Sequence, residues 1–380
     1  MTEWKTYRLG EIGKIVTGKT PRTSQSEYFD GDIPFITPAD LNTPFKRILS
    51  TQRTLTIEGL NSIKGCIIPA NSIAVSCIGN LGYVGITNQI CATNQQINTI
   101  IVNDQFDSHF IYYTIKHLWP YFKNLEGQST TLSILNKTQF SQIEISLPGL
   151  EEQRRIAGIL SAIDDKIENN RRINTNLELQ AQALYKQWFV DSSTVKLGDV
   201  VKTTSGGTPS RSHMEFYAGK YGWVKSKELN GSFITNTEES ITDDAIAKSA
   251  AKLLPAKSIL IAMYGATVGQ YAVLSHPMTC NQAVCALLPN ENYPYTYLFM
   301  VAKNIKEELA NKAIGSAQQN ISQVIIKDID LSSDIVKIKQ FHKIVCPHFE
   351  VMEKNQKENE TLATLRDTLL PKLMNGEIKL

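Results

Sequence analysis

The sequence predicts an α+β protein: two pseudo-repeated globular α/β domains joined by two long helices that form an antiparallel intramolecular coiled coil. Three observations predict it. Short words of sequence recur in the same order at a nearly constant offset. Within each copy, short β-rich runs broken by Gly, Pro and Asn share the segment with an amphipathic helix. After each copy comes a long stretch with apolar residues at seven-residue spacing.

At 380 residues the chain exceeds one typical domain. A hydrophobic fraction of 42% and a charged fraction of 20% are those of an ordinary globular protein. No apolar run approaches the ~18 residues of a membrane helix, and MTEWKTYRLG lacks the apolar core of a signal peptide. The cysteines, Cys66, Cys77, Cys91, Cys280, Cys285 and Cys346, form no CxxC. That spacing argues against structural zinc and a disulfide scaffold, and for a cytoplasmic protein with free thiols; with no apolar span, no membrane contact is expected. A net charge of +2 permits nucleic-acid binding without announcing it.

The first globular domain spans 1–147. It opens with GKIVTGKT (Gly13–Thr20), which fits the phosphate-loop pattern G-x-x-x-x-G-K-[ST]. Such a loop needs a strand before it and a helix after it. Here only twelve residues precede it, and Pro21 followed by SQSEYFDGD is no apolar-periodic helix. Nucleotide binding through Gly13–Thr20 is therefore the weakest reading of this segment. The repeat supplies a better one. Leu9-Gly10-Glu11-Ile12 is echoed by Leu197-Gly198-Asp199-Val200, and Gly18-Lys19-Thr20-Pro21 by Gly206-Gly207-Thr208-Pro209, at an offset of 188 residues in both places. The second copy has lost the first glycine and the lysine, so what the halves share is a Gly-x-Thr-Pro turn. The offset holds at Phe29/Tyr217, Gly31/Gly219 and Phe35/Trp223. It is two residues shorter at IPANSIAV (68–75) and LPAKSILI (254–261) and at Gly79/Gly265, and one shorter at Asn94/Asn281. Helices are expected over 108–122 in the first copy and 296–313 in the second.

The first spacer helix is assigned to 148–191. Pro148-Gly149 precede it, and Glu151 and Glu152 occupy its first turn, where the helix dipole favours carboxylates. One heptad series reads Ile156, Ile163, Asn170, Leu177, Leu184; the other reads Leu160, Ile167, Asn174, Ala181, Trp188. The second globular domain spans 192–335. The second spacer helix, 336–380, carries Phe341, His348, Asn355, Leu362, Leu369 and Val345, Met352, Asn359, Arg366, Leu373, with Asn375-Gly376 as a stop. A buried amide opposite leucine loses its hydrogen bonds, at a cost of about 1–3 kcal/mol; opposite another amide it is satisfied. The central asparagines must therefore align if the helices pair. Both directions allow it, and a two-fold relation between the halves favours the antiparallel one, which sets Leu160 near Leu369, Ile167 near Leu362 and Trp188 near Phe341. Forty helical residues extend about 60 Å, and successive major-groove sites lie ~34–36 Å apart.

With LPGLEEQRRIAGILSAIDDKIENNRRIN (147–174), LRDTLLPKLMNGEI (365–378) and the paired LGEI…TGKTP and LGDV…SGGTP, the chain resembles the specificity (S) subunit of Type I restriction-modification enzymes over its full length. It departs from the pattern at LSSDIVKIKQF (331–341), where the proline and glutamates of the first helix start are missing. The resemblance implies that the globular units are target recognition domains, each reading one half of an interrupted double-stranded DNA sequence. It implies that the helices set the half-site spacing and dock two modification (methyltransferase) subunits, with restriction (translocase/nuclease) subunits completing the complex. S-adenosylmethionine, ATP and Mg would be bound by those partners, and none by this chain. The chain itself would not be a catalyst, and no motif for amino methylation, Ser/His/Asp arrangement or HExxH stands in it. A duplicated coiled-coil scaffold without DNA binding is the alternative.

Base readout favours Asn and Gln for adenine and Arg and Lys for guanine, with Lys and Arg also on phosphate. Loop candidates are Lys19, Thr20, Arg22, Asn80, Gln128 and Ser129 in the first half. In the second they are Thr208, Arg211, Lys225, Lys227, Tyr264, Gln318 and Gln319. Asn94 and Asn281, shared by both halves, are expected to hold the fold or contact backbone, because halves that read different sequences should differ at their base readers.

Overall fold

The computed structural model describes residues 4–128, 132–189, 193–313, 320–378 and 380. The chain forms two compact units, residues 1–168 with 361–380, and residues 169–360. No helix among the described residues is long and apolar enough to cross a membrane.

In the first unit a five-stranded sheet runs in the order Gly13–Thr17, Ile97–Val102, Ile73–Ser76, Val84–Thr87, Arg47–Ile48. A three-stranded sheet runs Arg53–Leu55, Phe29–Ile36, Ala92–Thr93, and Lys5–Arg8 pairs with Glu144–Leu147. The second unit repeats this strand for strand. Its larger sheet is Lys202–Ser205, Val284–Leu288, Ile259–Ala262, Tyr271–Leu274, Phe233–Ile234. Its smaller sheet is Ser240–Ile241, Tyr217–Val224, Thr279–Cys280, and Thr194–Lys196 pairs with Asp330–Ser332. Even the irregularities recur. A register shift interrupts the long strand between Phe29 and Ile33 and between Tyr217 and Tyr221. Asp30 and Ala218 take φ of 61° and 58° there, which bends and twists the strand as a bulge does. Gly31 and Gly219 follow, and a Cβ on either would stand 2.6 Å from the Leu55 carbonyl oxygen or 2.3 Å from that of Ile241.

One helix of each unit backs its large sheet. In the first unit the expected single helix over 108–122 is two helices, Ser108–His117 and Trp119–Gly127. Pro120 has no N–H to continue the first, and it sits comfortably in the first turn of the next. Asp107 caps the start, its side chain accepting from the Phe110 amide at 2.8 Å. The second unit has no proline there, and Tyr295–Asn311 is unbroken.

The long helices span Leu150–Phe189 and Ile335–Met374. The second lacks the first's glutamates but has its own start: the Asp334 carboxylate accepts from the Lys337 amide at 2.9 Å. Its end is the Asn-Gly stop, Gly376 at φ 69° with the Glu377 amide donating to the Lys372 carbonyl. In the unit of 169–360 the helices run antiparallel. Asn170 Nδ2 donates to Asn359 Oδ1 at 3.0 Å and to Glu358 Oε2 at 2.8 Å. Asn355 Nδ2 donates to Asn174 Oδ1 at 2.8 Å, and Asn174 Nδ2 to the Met352 carbonyl at 3.0 Å. The Trp188 and Phe341 rings lie 6.5 Å apart. In the other unit Leu160 shares a buried cluster with Leu370 and Leu373, and Leu369 packs on its edge. Arg366, a heptad position, meets buried Asp164 at 2.7 Å. The other oxygen of Asp164 accepts from Tyr113 at 2.7 Å; burial, and then the Asp164 charge, pushes that phenol far above its usual range and keeps it a donor.

The seam departs from strict heptads where Phe189, Phe349 and Leu370 are buried while the seam residues Trp188, His348 and Leu369 beside them are only half-buried. Phe349 rather than His348 is buried, because its ring packs edge-on against Tyr295, Phe299 and Phe233. The long helices are thus core elements of both units. Ile156, Leu160, Leu370 and Leu373 join Leu9, Ile73, Ile100 and Phe110 in one core. Ala181, Phe189, Phe341 and Phe349 join Ile259, Leu287 and Phe299 in the other.

The asparagine pair makes a stability test. Asn355→Leu leaves the Asn174 oxygen facing an alkyl group and is expected to cost about 1–3 kcal/mol. Adding Asn174→Leu removes the orphaned amide, so the double variant is expected to melt above the sum of the two single losses in thermal unfolding.

Candidate nucleic-acid interface

The glycine-rich stretch resolves into sheet and turn. Gly13–Thr17 is an edge strand paired with Ile97–Val102. Gly13 is required because a Cβ there would lie 2.3 Å from the Ile101 carbonyl oxygen, and Gly18 because one would lie 2.2 Å from that of Asn94. A 3-10 turn at Ser26–Tyr28, not an α-helix, is the next helical element. The geometry makes no phosphate cradle. Gly206 repeats the close approach, with a Cβ position 2.1 Å from the Cys280 carbonyl oxygen.

Both turns are tied down alike. Thr20 Oγ1 donates to Gln95 Oε1 at 2.7 Å, and Thr208 donates to Gln282. The Lys19 amide donates to the Thr93 carbonyl and the Gly207 amide to that of Cys280, each at 2.9 Å. The Asn94 and Asn281 amides donate to Ile36 and Val224. Asn94 is buried, its side chain bonding Gln96 through both main chain and side chain. Lys19 and Arg22 are exposed on this turn and Thr20 is half-buried.

The second half brings its basic candidates together. Trp223 Nε1 donates to the Gly207 carbonyl at 3.0 Å and the Tyr217 hydroxyl to that of Pro209 at 2.7 Å, so this aromatic pair supports the turn. Above it lies Arg211, its guanidinium carbon 4.3 Å from the Tyr217 ring centre and 5.4 Å from that of Trp223. Both terminal nitrogens of Arg211 meet the Glu239 carboxylate, at 2.7 and 3.1 Å. Lys225 pairs with the same carboxylate and reaches Glu238 at 3.4 Å; Lys227 meets Glu238 at 2.7 Å. Hydrogen bonds from Arg211 and then Lys225 pull the Glu239 carboxyl from its usual 4.5 down to about 2. Glu238 and Glu239 had no signal in the sequence, because their role depends on a strand register.

In the first half an arginine sits on the matching aromatic pair. Arg53 lies 4.7 Å from the Phe29 ring centre and 5.7 Å from that of Phe35. Sequence reasoning missed it, since nothing local links residue 53 to residues 29 and 35.

The remaining candidates lie elsewhere. Exposed Asn80 occupies a loop whose carbonyl accepts from Ser76 at 2.6 Å. Exposed Gln128 follows the helix Trp119–Gly127, and that helix's Glu126 accepts from the Leu81 amide, so the two candidates belong to one loop region. Tyr264 is 39% exposed and bridges to Asn320. Ser129, Gln318 and Gln319 lie outside the described residues. Four thiols, Cys77, Cys91, Cys280 and Cys285, are buried and pushed up to about 12, which leaves them inert as nucleophiles.

The chain matches the family described as Type I restriction modification DNA specificity domain over residues 1–179 and 190–339. It is 29% identical to the Type I restriction enzyme MjaIX specificity subunit of Methanocaldococcus jannaschii, covering 99% of this chain and 94% of that one. It is 26% identical to the HindI specificity subunit of Haemophilus influenzae, over 100% of both. The fold is like that of the Type I restriction-modification S subunit from M. genitalium, with a TM-score of 0.64 and 17% identity over 98% of this chain and 96% of that one.

The carboxylate clamp predicts a titration. Glu239 should stay ionised when pH falls below the ordinary glutamate range, its folded pKa being depressed, so the clamp persists through pH 4 and opens only as pH approaches about 2. Carboxyl NMR of selectively labelled protein checks this, and Arg211→Met with Lys225→Met is expected to move the midpoint back up.

Proposed function

This chain belongs to the family of Type I restriction modification DNA specificity domains, and from that footing we propose that each of its two units reads one half of an interrupted duplex DNA sequence. The observation that carries this is a scaffold used twice with different exposed chemistry. Strand order, bulge and turn recur in both halves. On that scaffold the first half offers Lys19, Thr20 and Arg22, and the second offers Arg211, Lys225 and Lys227 among two carboxylates. Direct readout needs this division: a constant frame to hold the register and variable side chains to meet base edges.

The long helices would set the distance between the half-sites and give docking surface to two modification subunits. Those partners would bind S-adenosylmethionine and methylate the target, and restriction subunits would bring ATP and Mg. This chain supplies address rather than chemistry, in the cytoplasm where the DNA is. The recognition domains are taken as 1–147 and 192–335 and the spacer helices as 148–191 and 336–380.

In footprinting of the chain assembled with its modification subunits, protection of two short blocks separated by an unread spacer is expected. Affinity should fall steeply as salt rises, since phosphate contacts release counterions. No protection would instead mark a scaffold without DNA binding, and protection indifferent to sequence would refute the reading of half-sites. Matched seven-residue insertions in both helices, which add about 10 Å, are expected to lengthen the preferred spacer by about three base pairs at 3.4 Å per step; an unchanged spacer refutes the ruler role.

A further inference from the structure

The two halves place an arginine on the same aromatic pair by different routes. Phe29 and Phe35 correspond to Tyr217 and Trp223 in the repeat, and in each half a guanidinium lies over both rings. In the first half the arginine comes from the neighbouring strand: Arg53 stands opposite Phe35 in the ladder. In the second half the ladder runs Tyr221 opposite Ile241 and Gly222 opposite Ser240. The next residue, Glu239, whose carbonyl accepts from the Trp223 amide at 2.9 Å, therefore takes the place of Arg53. The charge at that place is inverted, and the arginine is supplied instead by Arg211 from the turn, clamped there by Glu239. Stacking is thus retained while the residue that provides it has changed.

We propose that the stacked arginine in each half, Arg53 in the first and Arg211 in the second, is a specificity-determining residue that reads a guanine of its own half-site. This deepens the proposed DNA-reading function and rests on it. Three features support the assignment. Stacking on an aromatic face fixes the plane of the guanidinium, so little freedom is lost when its fork is used. Both arginines are exposed, and no carboxylate pairs with Arg53 among the described residues. In the second half Glu239 receives two parallel N–H bonds from Arg211, the arrangement in which guanine O6 and N7 accept from arginine. Glu239 thus stands in for the base edge in the unbound chain and is displaced when DNA enters. The turn beneath Arg211 is the one that Trp223 and Tyr217 hold in place, so the guanidinium is supported on a rigid floor.

The test uses the full chain assembled with its modification subunits, in wild-type form and with Arg53→Ala, Arg53→Lys, Arg211→Ala and Arg211→Lys. Each complex is offered a duplex library, and the methylated sequences are read out alongside binding to the wild-type site and its single-base variants. Arg53 variants are expected to relax one position in one half-site, and Arg211 variants one position in the other. Discrimination for guanine there should fall roughly 10- to 100-fold, the size of a lost bidentate contact. The lysine variants keep the charge but lose the fork, so they should hold non-specific affinity while losing the same preference; this separates readout from simple phosphate attraction. Melting temperatures equal to wild type in the lysine variants confirm that the fold stands. The inference is overturned if all four variants keep the wild-type sequence preference, or if both arginines affect the same half-site. The first result leaves the broader reading standing, the second also contradicts its assignment of one half-site to each unit, and that reading fails outright if the wild-type complex shows no sequence preference.

Discussion

The architecture depends on amide groups that have one good place to go. Asn170, Asn174, Asn355 and Asn359 lie on helix faces otherwise lined with Leu, Ile, Phe and Met, and three of the four are buried. Hydrocarbon opposite any of them would strand a donor and an acceptor. Pairing 170 with 359 and 174 with 355 satisfies them, and among antiparallel alignments it is this register that sets all four amides opposite one another. Apolar heptads alone tolerate slippage by a repeat. The amide layers remove that freedom and so decide which residues of each helix are offered to the globular cores. Charged groups add to the same specification. The Tyr113–Asp164–Arg366 chain and the Lys257–Glu353 and Lys46–Asp165 pairs attach globular residues to defined turns of the helices.

The duplicated units show how a frame can stay constant while its exposed surface diverges. What recurs is what backbone sterics demand: glycine where two chains approach within a side chain's width, a bulge with positive φ in the long strand, and a threonine–glutamine bond across the turn. Even Ala218 accepts the left-handed conformation of its counterpart Asp30. What differs is carried by side chains that no packing constraint selects. The inverted charge at Arg53 and Glu239 belongs to that second class, and so does the proline that splits one helix and not its partner.

Much of this was legible in the sequence because it is written in periodicity and repetition. Heptad spacing and central asparagines foretold the paired helices, and the repeat foretold two units, favoured the antiparallel direction and unmasked the phosphate-loop pattern as a turn. Other features depend on contacts between distant residues. His348 fits the heptad better than Phe349, yet the aromatic ring is drawn inward by Tyr295 and Phe299, partners that no helical period can announce. The capping role of Asp334 was hidden by comparison with a first helix that starts on glutamates. Arg53 escaped notice because its significance arises from a strand register, and the grouping of Arg211, Lys225 and Lys227 with two carboxylates arises the same way.

One feature of the cores bears on how the polypeptide is made. The first unit is not finished by the first 168 residues; Leu370, Leu373 and Met374 complete its interior. While a ribosome is still producing the second unit, the nascent first unit exposes an apolar wall for which no covering residues yet exist. A stop codon just past residue 360 would therefore injure the portion translated earliest and spare the one translated last.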